Sequence, residues 1–407
     1  MAENKDFNEQ LYSILSPINQ AVKGLEGIAL KELFERRLQE LDLSQNQVEK
    51  LLNIERKSLV GILDRTAKRV DVLNVMKLCS FLNLHPDDYL KLYLTEMPSE
   101  AFGELEQVKK SNYIVSNFDL ANLRKGNFIS SKSDFDLIEK RINKYFGFAK
   151  IFDYSDKFVS TAFSRTKRSY NSLMREFWVK SAYIHFEGIN NPNEFSREML
   201  VDLIPKIRPY TMNIEKGLLI VAQALYNAGV TVIYQPSLPT VQVRGATFCI
   251  NKKPCIVITN LNNNYPTLWF ALLHELHHCL YDLEAIEKNT YHITGEPDLL
   301  LMQEDAANSF AREYLFSEER SKFIAPLIND ELIVRDYAKQ AQVDPSFVYN
   351  FHSYDLHTQG YNNAWSRYKQ FFPNVQQAIK DLNTNPWERE TIEESVTLIK
   401  ETVFSLI

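Results

Sequence analysis

The hydrophobic pattern along the chain is mostly of helical period, broken by one short region of alternation. Leu30 to Leu41 reads as an amphipathic helix that stops at Asp42-Leu43. Ser44 then sits as an N-cap before Gln45 to Leu52, where a short hydroxyl side chain can satisfy the first backbone N–H groups. Asn53-Ile54 interrupts the run, and Glu55 to Leu63 resumes it as a second short helix. Val72, Leu73, Val75, Met76, Leu78, Phe81 and Leu82 predict a further packing helix, closed by Asn83-Leu84-His85-Pro86. Helix, tight turn pinned by Ile54, helix is the plan of a helix-turn-helix.

Met97-Pro98-Ser99-Glu100 closes this region, and residues 109–132, of mixed polarity, read as a helical connector. Thr161 to Ile189 predicts a long helix in which Arg165, Lys167, Arg168, Arg175 and Lys180 stand beside Phe163, Tyr170, Leu173, Phe177 and Trp178. The favoured reading is a solvated basic face over an aromatic core, with contact to nucleic acid the alternative. Alternation begins after Gly229 at Val230, Val232 and Tyr234. Further strands are predicted at Val241 to Ile250 and Cys255 to Thr259, joined by a turn at Asn251-Lys252-Lys253-Pro254, as a small antiparallel unit. Asn385 to Ile407 predicts a last amphipathic helix.

The chemistry concentrates in the apolar stretch Leu268 to Leu283, which contains His274-Glu275-Leu276-His277-His278. His274 and His278 fit H-E-x-x-H and lie one helical turn apart on the same face, the spacing at which two neutral imidazoles can grip zinc. Glu275, about 100° round the helix, is the candidate general base. Three of the eight histidines fall in this short run, and ionisable groups in an apolar helix need partners. A third ligand is expected downstream. Glu304 is preferred because a helix there places it with Ala307, Asn308, Ala311 and Leu315, the small and apolar side. Asp305 shares its side with Ser309 and Arg312, which reads as solvated, and His292 is a further choice.

Trp269 to His278, followed by Glu304-x-x-Ala307-Asn308-x-Phe310-Ala311, resembles the ImmA/IrrE metallo-endopeptidases. The resemblance implies a gluzincin-like fold in which His274, His278 and Glu304 hold zinc and Glu275 acts as general base. The chain departs from that family in having His277 where glycine is usual and Phe316-Ser317 where Met-Pro is common. By the same resemblance, Val241 to Ile250 or its neighbour is a candidate edge for an extended peptide, although an ordinary core strand fits equally well, and Ile333 to Tyr354 looks like a C-terminal helical pair. The N-terminal region resembles the Cro/repressor-like helix-turn-helix family, through its Leu41-x-x-Ser44-Gln45 start, Asn53 at the turn and Asn83-Leu84-x-Pro86 close. That likeness makes Glu55 to Leu63 a recognition helix. The combined arrangement resembles HigA-like antitoxins fused to an ImmA/IrrE domain.

Charge refines the picture locally. The net charge of −6 implies no general affinity for polyanions. Yet Arg56, Lys57, Arg65, Lys68 and Arg69 cluster against Asp64 alone, and with Ser58 they form a candidate surface for phosphates and base edges of operator DNA. The same fold also serves protein–protein contacts. A homodimer is expected because such operators are usually paired half-sites. The N-terminus lacks an apolar signal, no long apolar run suits a membrane, and four scattered cysteines read as reduced core residues, all pointing to a cytoplasmic protein.

The expected architecture is therefore α+β and mostly helical. A helix-turn-helix domain spans 1–95, a helical connector 96–160, and a metallopeptidase-like domain with a small sheet 161–407. The expected function is a DNA-binding regulator that cleaves a specific protein partner, in a mobile-element, toxin–antitoxin or phage-defence setting. The alternative is a repressor or antitoxin whose peptidase-like domain is a non-catalytic sensor or interaction module.

Overall fold

Helices dominate the computed structural model and its strands form one small mixed sheet, so the fold is α+β. The structure describes residues 29–67, 69–95, 99–156, 172–289, 291–293, 304–361 and 363–404. The chain divides into two compact units, 1–109 and 110–407. Among the described residues no helix is long and apolar enough to cross a membrane.

The first unit contains α1 (Leu30–Leu41), α2 (Gln45–Leu52), α3 (Arg56–Leu63), α4 (Val72–Leu82) and α5 (Pro86–Thr95). Its core gathers Phe34 from α1, Val48 from α2, Leu59 and Ile62 from α3, and Leu78 and Phe81 from α4. The predicted cap at Ser44 is present, with Gln47 Oε1 accepting from the Ser44 backbone N–H at 2.8 Å. Between α2 and α3 the chain turns through Asn53 in the left-handed region, φ 49° and ψ 55°, which asparagine tolerates. Ile54 then buries its side chain and fixes the turn. One expectation about packing needs correction. Val72, Leu73 and Met76 are 76%, 63% and 47% exposed, because only the face of α4 carrying Leu78, Cys79 and Phe81 meets the core.

The second unit has a single hydrophobic core that starts well before the expected boundary. Ile114, Phe118, Leu123 and Phe128 belong to it, as do Ile138 and Tyr145 on α6 (Phe135–Phe146). Residues 110–156, read from sequence as connector, are thus part of this unit. Tyr145 sits in an aromatic cluster with Phe128 and Phe146, at centroid distances of 4.9 and 5.0 Å. Of the long helix expected from Thr161, the part described is α7 (Ser172–Ile189), while Thr161, Phe163, Arg165, Lys167, Arg168 and Tyr170 lie outside the described residues. Phe177 and Trp178 are core residues. Lys180 is buried instead of solvated, and donates to the Tyr154 carbonyl at 2.9 Å.

After α8 (Gly217–Asn227) come β1 (Thr231–Tyr234), β2 (Gly245–Ile250) and β3 (Lys253–Ile258). The long α9 (Tyr265–Tyr281) follows, then β4 (Tyr291–Ile293). The sheet order is β1-β3-β2-β4. β1 runs parallel to β3, whereas β2 is antiparallel to both β3 and β4, so the unit is mixed and not wholly antiparallel. Asn251 and Lys252, with φ of 54° and 64°, make the tight turn from β2 to β3. β2 is paired on both sides, so of the two readings open for Val241 to Ile250 the structure bears out the ordinary core strand, with no free edge along β2. The remaining helices include α10 (Glu304–Phe316), α11 (Glu331–Gln340), α12 (Pro345–Thr358) and α13 (Ile392–Ile399). α13 buries Ile392, Val396 and Ile399 against α7, where a methyl carbon of Val396 would lie 3.0 Å from any Cβ at Gly188.

His185 on α7 is fully enclosed, with Nδ1 2.7 Å from the Ser181 carbonyl. Burial lowers its pKa from 6.5 to about 4, partly offset by that hydrogen bond. The unfolded chain therefore binds more protons between those pH values, and the neutral ring contributes stability that is complete above pH 6.5 and lost on acidification toward pH 4. The shift corresponds to about 3 kcal/mol. In denaturant titrations His185→Gln is expected to show a shallower loss of stability between pH 7 and pH 4 than the native chain; parallel profiles would contradict the assignment.

Candidate metal centre

Asn264 caps α9 by accepting from the Thr267 N–H at 3.2 Å, and Pro266 occupies its first turn. The helix is apolar nearly all round, and its residues from Ala271 through Leu280 are buried. His274, Glu275 and His278 are at most 1% exposed. α10 packs alongside and brings Glu304 to the two histidines. His274 Nε2 and His278 Nε2 are 3.1 Å apart, and Glu304 Oε2 and Oε1 lie 3.4 and 3.8 Å from them respectively. Two donors bound to one tetrahedral ion at 2.0–2.1 Å would be separated by about 3.3 Å. The observed distances lie near that value, with each histidine facing a different Glu304 oxygen, so this donor set could hold a metal ion.

The far nitrogen of each imidazole is held as well. His274 Nδ1 lies 3.1 Å from Asn308 Oδ1, and His278 Nδ1 lies 2.8 Å from Asp282 Oδ2. An Nδ1–H donated to these oxygens leaves each Nε2 with its lone pair toward the shared point. Burial lowers the pKa of His278 to about 4, which keeps the ring in the neutral, ligating form. Burial alone would raise the Glu304 carboxyl. The His274 and His292 rings beside it outweigh that and hold Glu304 well below the ordinary carboxylate range.

Sheet register places two more groups here. Thr247 on β2 and His292 on β4 are direct cross-strand partners, so their side chains share one face. Thr247 Oγ donates to Glu275 Oε2 at 2.6 Å, and His292 Nε2 lies 2.8 Å from Glu304 Oε1. Gly245 lies on the other side of Glu275, where an added Cβ would come within 2.6 Å of Oε1. The sequence-predicted set His274, Glu275, His278 and Glu304 is thus brought together. Asp305 is exposed, and His292 contacts Glu304 instead of joining the three convergent donors. His277 points into a ring pocket, 4.7 Å from Tyr281 and 5.4 Å from Phe310 by centroid. It forms a second possible donor group with His278 and Asp282, but that group would require the Asp282 carboxylate that already orients His278.

Sequence reasoning assigns no role to Asp282, Asn308, Thr247 or Gly245. Asp282 and Asn308 have local signals, their i+4 spacing from His278 and from Glu304. The others depend on pairing across the fold. In the first unit, Arg56, Lys57 and Arg69 are exposed, Ser58 and Arg65 are half-buried, and Lys68 lies outside the described residues. Asp64 is drawn into an ion pair with Lys31 at 2.7 Å, so the one acid of the cluster is already matched from α1. No protein family, curated protein or solved structure matches the chain.

A centre with these donors is expected to take about one zinc ion per chain, lost in the His274→Ala/His278→Ala variant, as read by elemental analysis. Asp282→Ala and Asn308→Ala should each weaken binding by roughly 10–100-fold while leaving the donors in place. Full zinc retention in the double variant would place the metal elsewhere.

Proposed function

We propose that the chain is a DNA-binding regulator joined to a zinc-dependent endopeptidase that cleaves one protein partner. The observation that carries this reading is the convergence of His274, His278 and Glu304 at tetrahedral spacing beside a buried Glu275. Zinc, when bound, supplies Lewis acidity, lowering the pKa of water toward about 7 and polarising a carbonyl.

The chain's own groups do the rest. Glu275 takes the proton of the attacking water and passes it to the departing amine. Thr247 fixes one Glu275 oxygen, and Gly245 leaves room beside the other. Asn308 and Asp282 hold the imidazoles, and His292 holds Glu304. Glu275→Gln should abolish cleavage while zinc stoichiometry stays unchanged. Gly245→Ala should do nearly the same, because the new methyl displaces the Glu275 carboxylate. Undiminished cleavage by Glu275→Gln removes Glu275 from the mechanism. Regulation that persists in cells without any cleavage turns the second unit into a sensor.

The first unit supports the regulatory half. In this reading α2 and α3 form the helix-turn-helix of a homodimer on operator DNA. Arg56, Lys57, Arg65, Lys68 and Arg69 reach phosphates, and Arg56 and Ser58 read base edges. Because phosphate contacts release counterions, Arg56→Ala/Lys57→Ala should weaken operator binding and flatten its salt dependence by about two in the log–log slope. An unchanged slope in a gel-shift or anisotropy titration would take these residues off the DNA.

A further inference from the structure

A cavity of about 1030 Å³ opens beside the candidate metal centre. Three of its lining residues adjoin the centre. Asn308 bonds His274, Asp305 follows Glu304, and Arg244 precedes the Gly245 that abuts Glu275. A fourth, Phe270, lies 6.3 Å from the His274 ring. The space exceeds what one side chain fills and reaches the upper end of ligand-sized cavities.

The lining is of two kinds. Phe270, Phe351, Tyr354, Trp365 and Phe372 supply aromatic surface. Arg244, Arg312 and Lys369 supply positive charge. Against them stand Asp305, which is exposed, and Glu318, which pairs with Lys322 at 2.6 Å. Arg312, which reads from sequence as solvated, has a side chain only 15% exposed. Its Nη2 grips Asp355 at 2.7 and 2.8 Å, and its guanidinium lies over the rings of Phe351 and Tyr354 at 5.4 and 5.8 Å. Among the described residues its Nε–H has no partner. Nor do the side chains of Arg244 and Lys369 meet an acid there. With Arg312 already matched by Asp355, the two exposed, unmatched cations Arg244 and Lys369 beside a wall of rings are suited to a ligand that is both aromatic and anionic.

The geometry points to this cavity as the recognition pocket of the proposed peptidase, taking a peptide segment in which an aromatic residue adjoins an acidic one. This inference rests on the peptidase reading for its purpose, but not for its test. Acetyl-Phe-Glu-amide, acetyl-Phe-Gln-amide and acetyl-Ala-Glu-amide are titrated by calorimetry into the full-length Glu275→Gln chain, with and without zinc. The Phe-Glu peptide should bind about fivefold more tightly than either other peptide, the range of a partly exposed ion pair. The advantage over Phe-Gln should vanish in Arg244→Ala/Lys369→Ala, whose two side chains are exposed and whose folding is checked by circular dichroism. Equal affinities, absence of binding by all three peptides, or an advantage that survives in the double variant would each overturn the proposal. A chain that binds zinc without discriminating loses only this pocket. One that discriminates without binding zinc keeps the pocket and loses the peptidase.

Discussion

Everything in the second unit is arranged around one costly fact: α9 is buried on nearly every side and still carries His274, Glu275 and His278. An unpaired polar group in such a place costs on the order of 1–3 kcal/mol, and an unpaired charge more. The fold meets each requirement with a separate element. Asn308 comes from α10, Asp282 from the end of α9 itself, and Thr247 from β2. The sheet, the neighbouring helix and the helix terminus are thereby tied to the same short run of sequence. Moving any one of them exposes a buried group to an unsatisfied environment.

The same constraint explains the small residues around the site. Ala307 and Ala311 are fully buried on α10, and their size lets that helix come close enough for Glu304 and Asn308 to reach the imidazoles. Gly245 does the equivalent on the sheet side, since a side chain there would collide with Glu275. Close approach of backbones is what allows short carboxylate and amide side chains to act as partners. Residues 304, 308 and 312, spaced four apart on α10, carry this further: they wind round the helix from the candidate metal centre into the adjoining cavity.

Much of this was legible from local pattern. The helices of the first unit begin and end close to where Ser44, Asn53 and Asn83 punctuate the sequence, because caps and left-handed turns are local physics. His274, His278 and Glu304 were legible because helical spacing fixes which side chains share a face. What failed depended on distant pairing. The parallel match of β1 to β3 and the capping of β2 by β4 are set by sheet register, which alternation alone does not encode. Val72, Leu73 and Met76 are apolar and exposed because a helix with more apolar faces than neighbours must leave one uncovered. Arg312 looked solvated beside Asp305 and Ser309, and only the arrival of α12 with Asp355 encloses it.

His292 bears most directly on what kind of centre this is. A structural zinc site is normally closed by four protein donors, whereas a hydrolytic one keeps a position open. A buried imidazole so near His278, with ring centroids 4.5 Å apart, looks at first like a fourth donor. Its Nε2 is instead committed to Glu304 Oε1 at 2.8 Å, and the convergent set remains His274, His278 and Glu304. In that position His292 orients the carboxylate without closing the centre. Three donors, each steadied by a hydrogen-bonding partner, with a buried glutamate and a large cavity beside them, form the arrangement that the proposed hydrolytic reading requires.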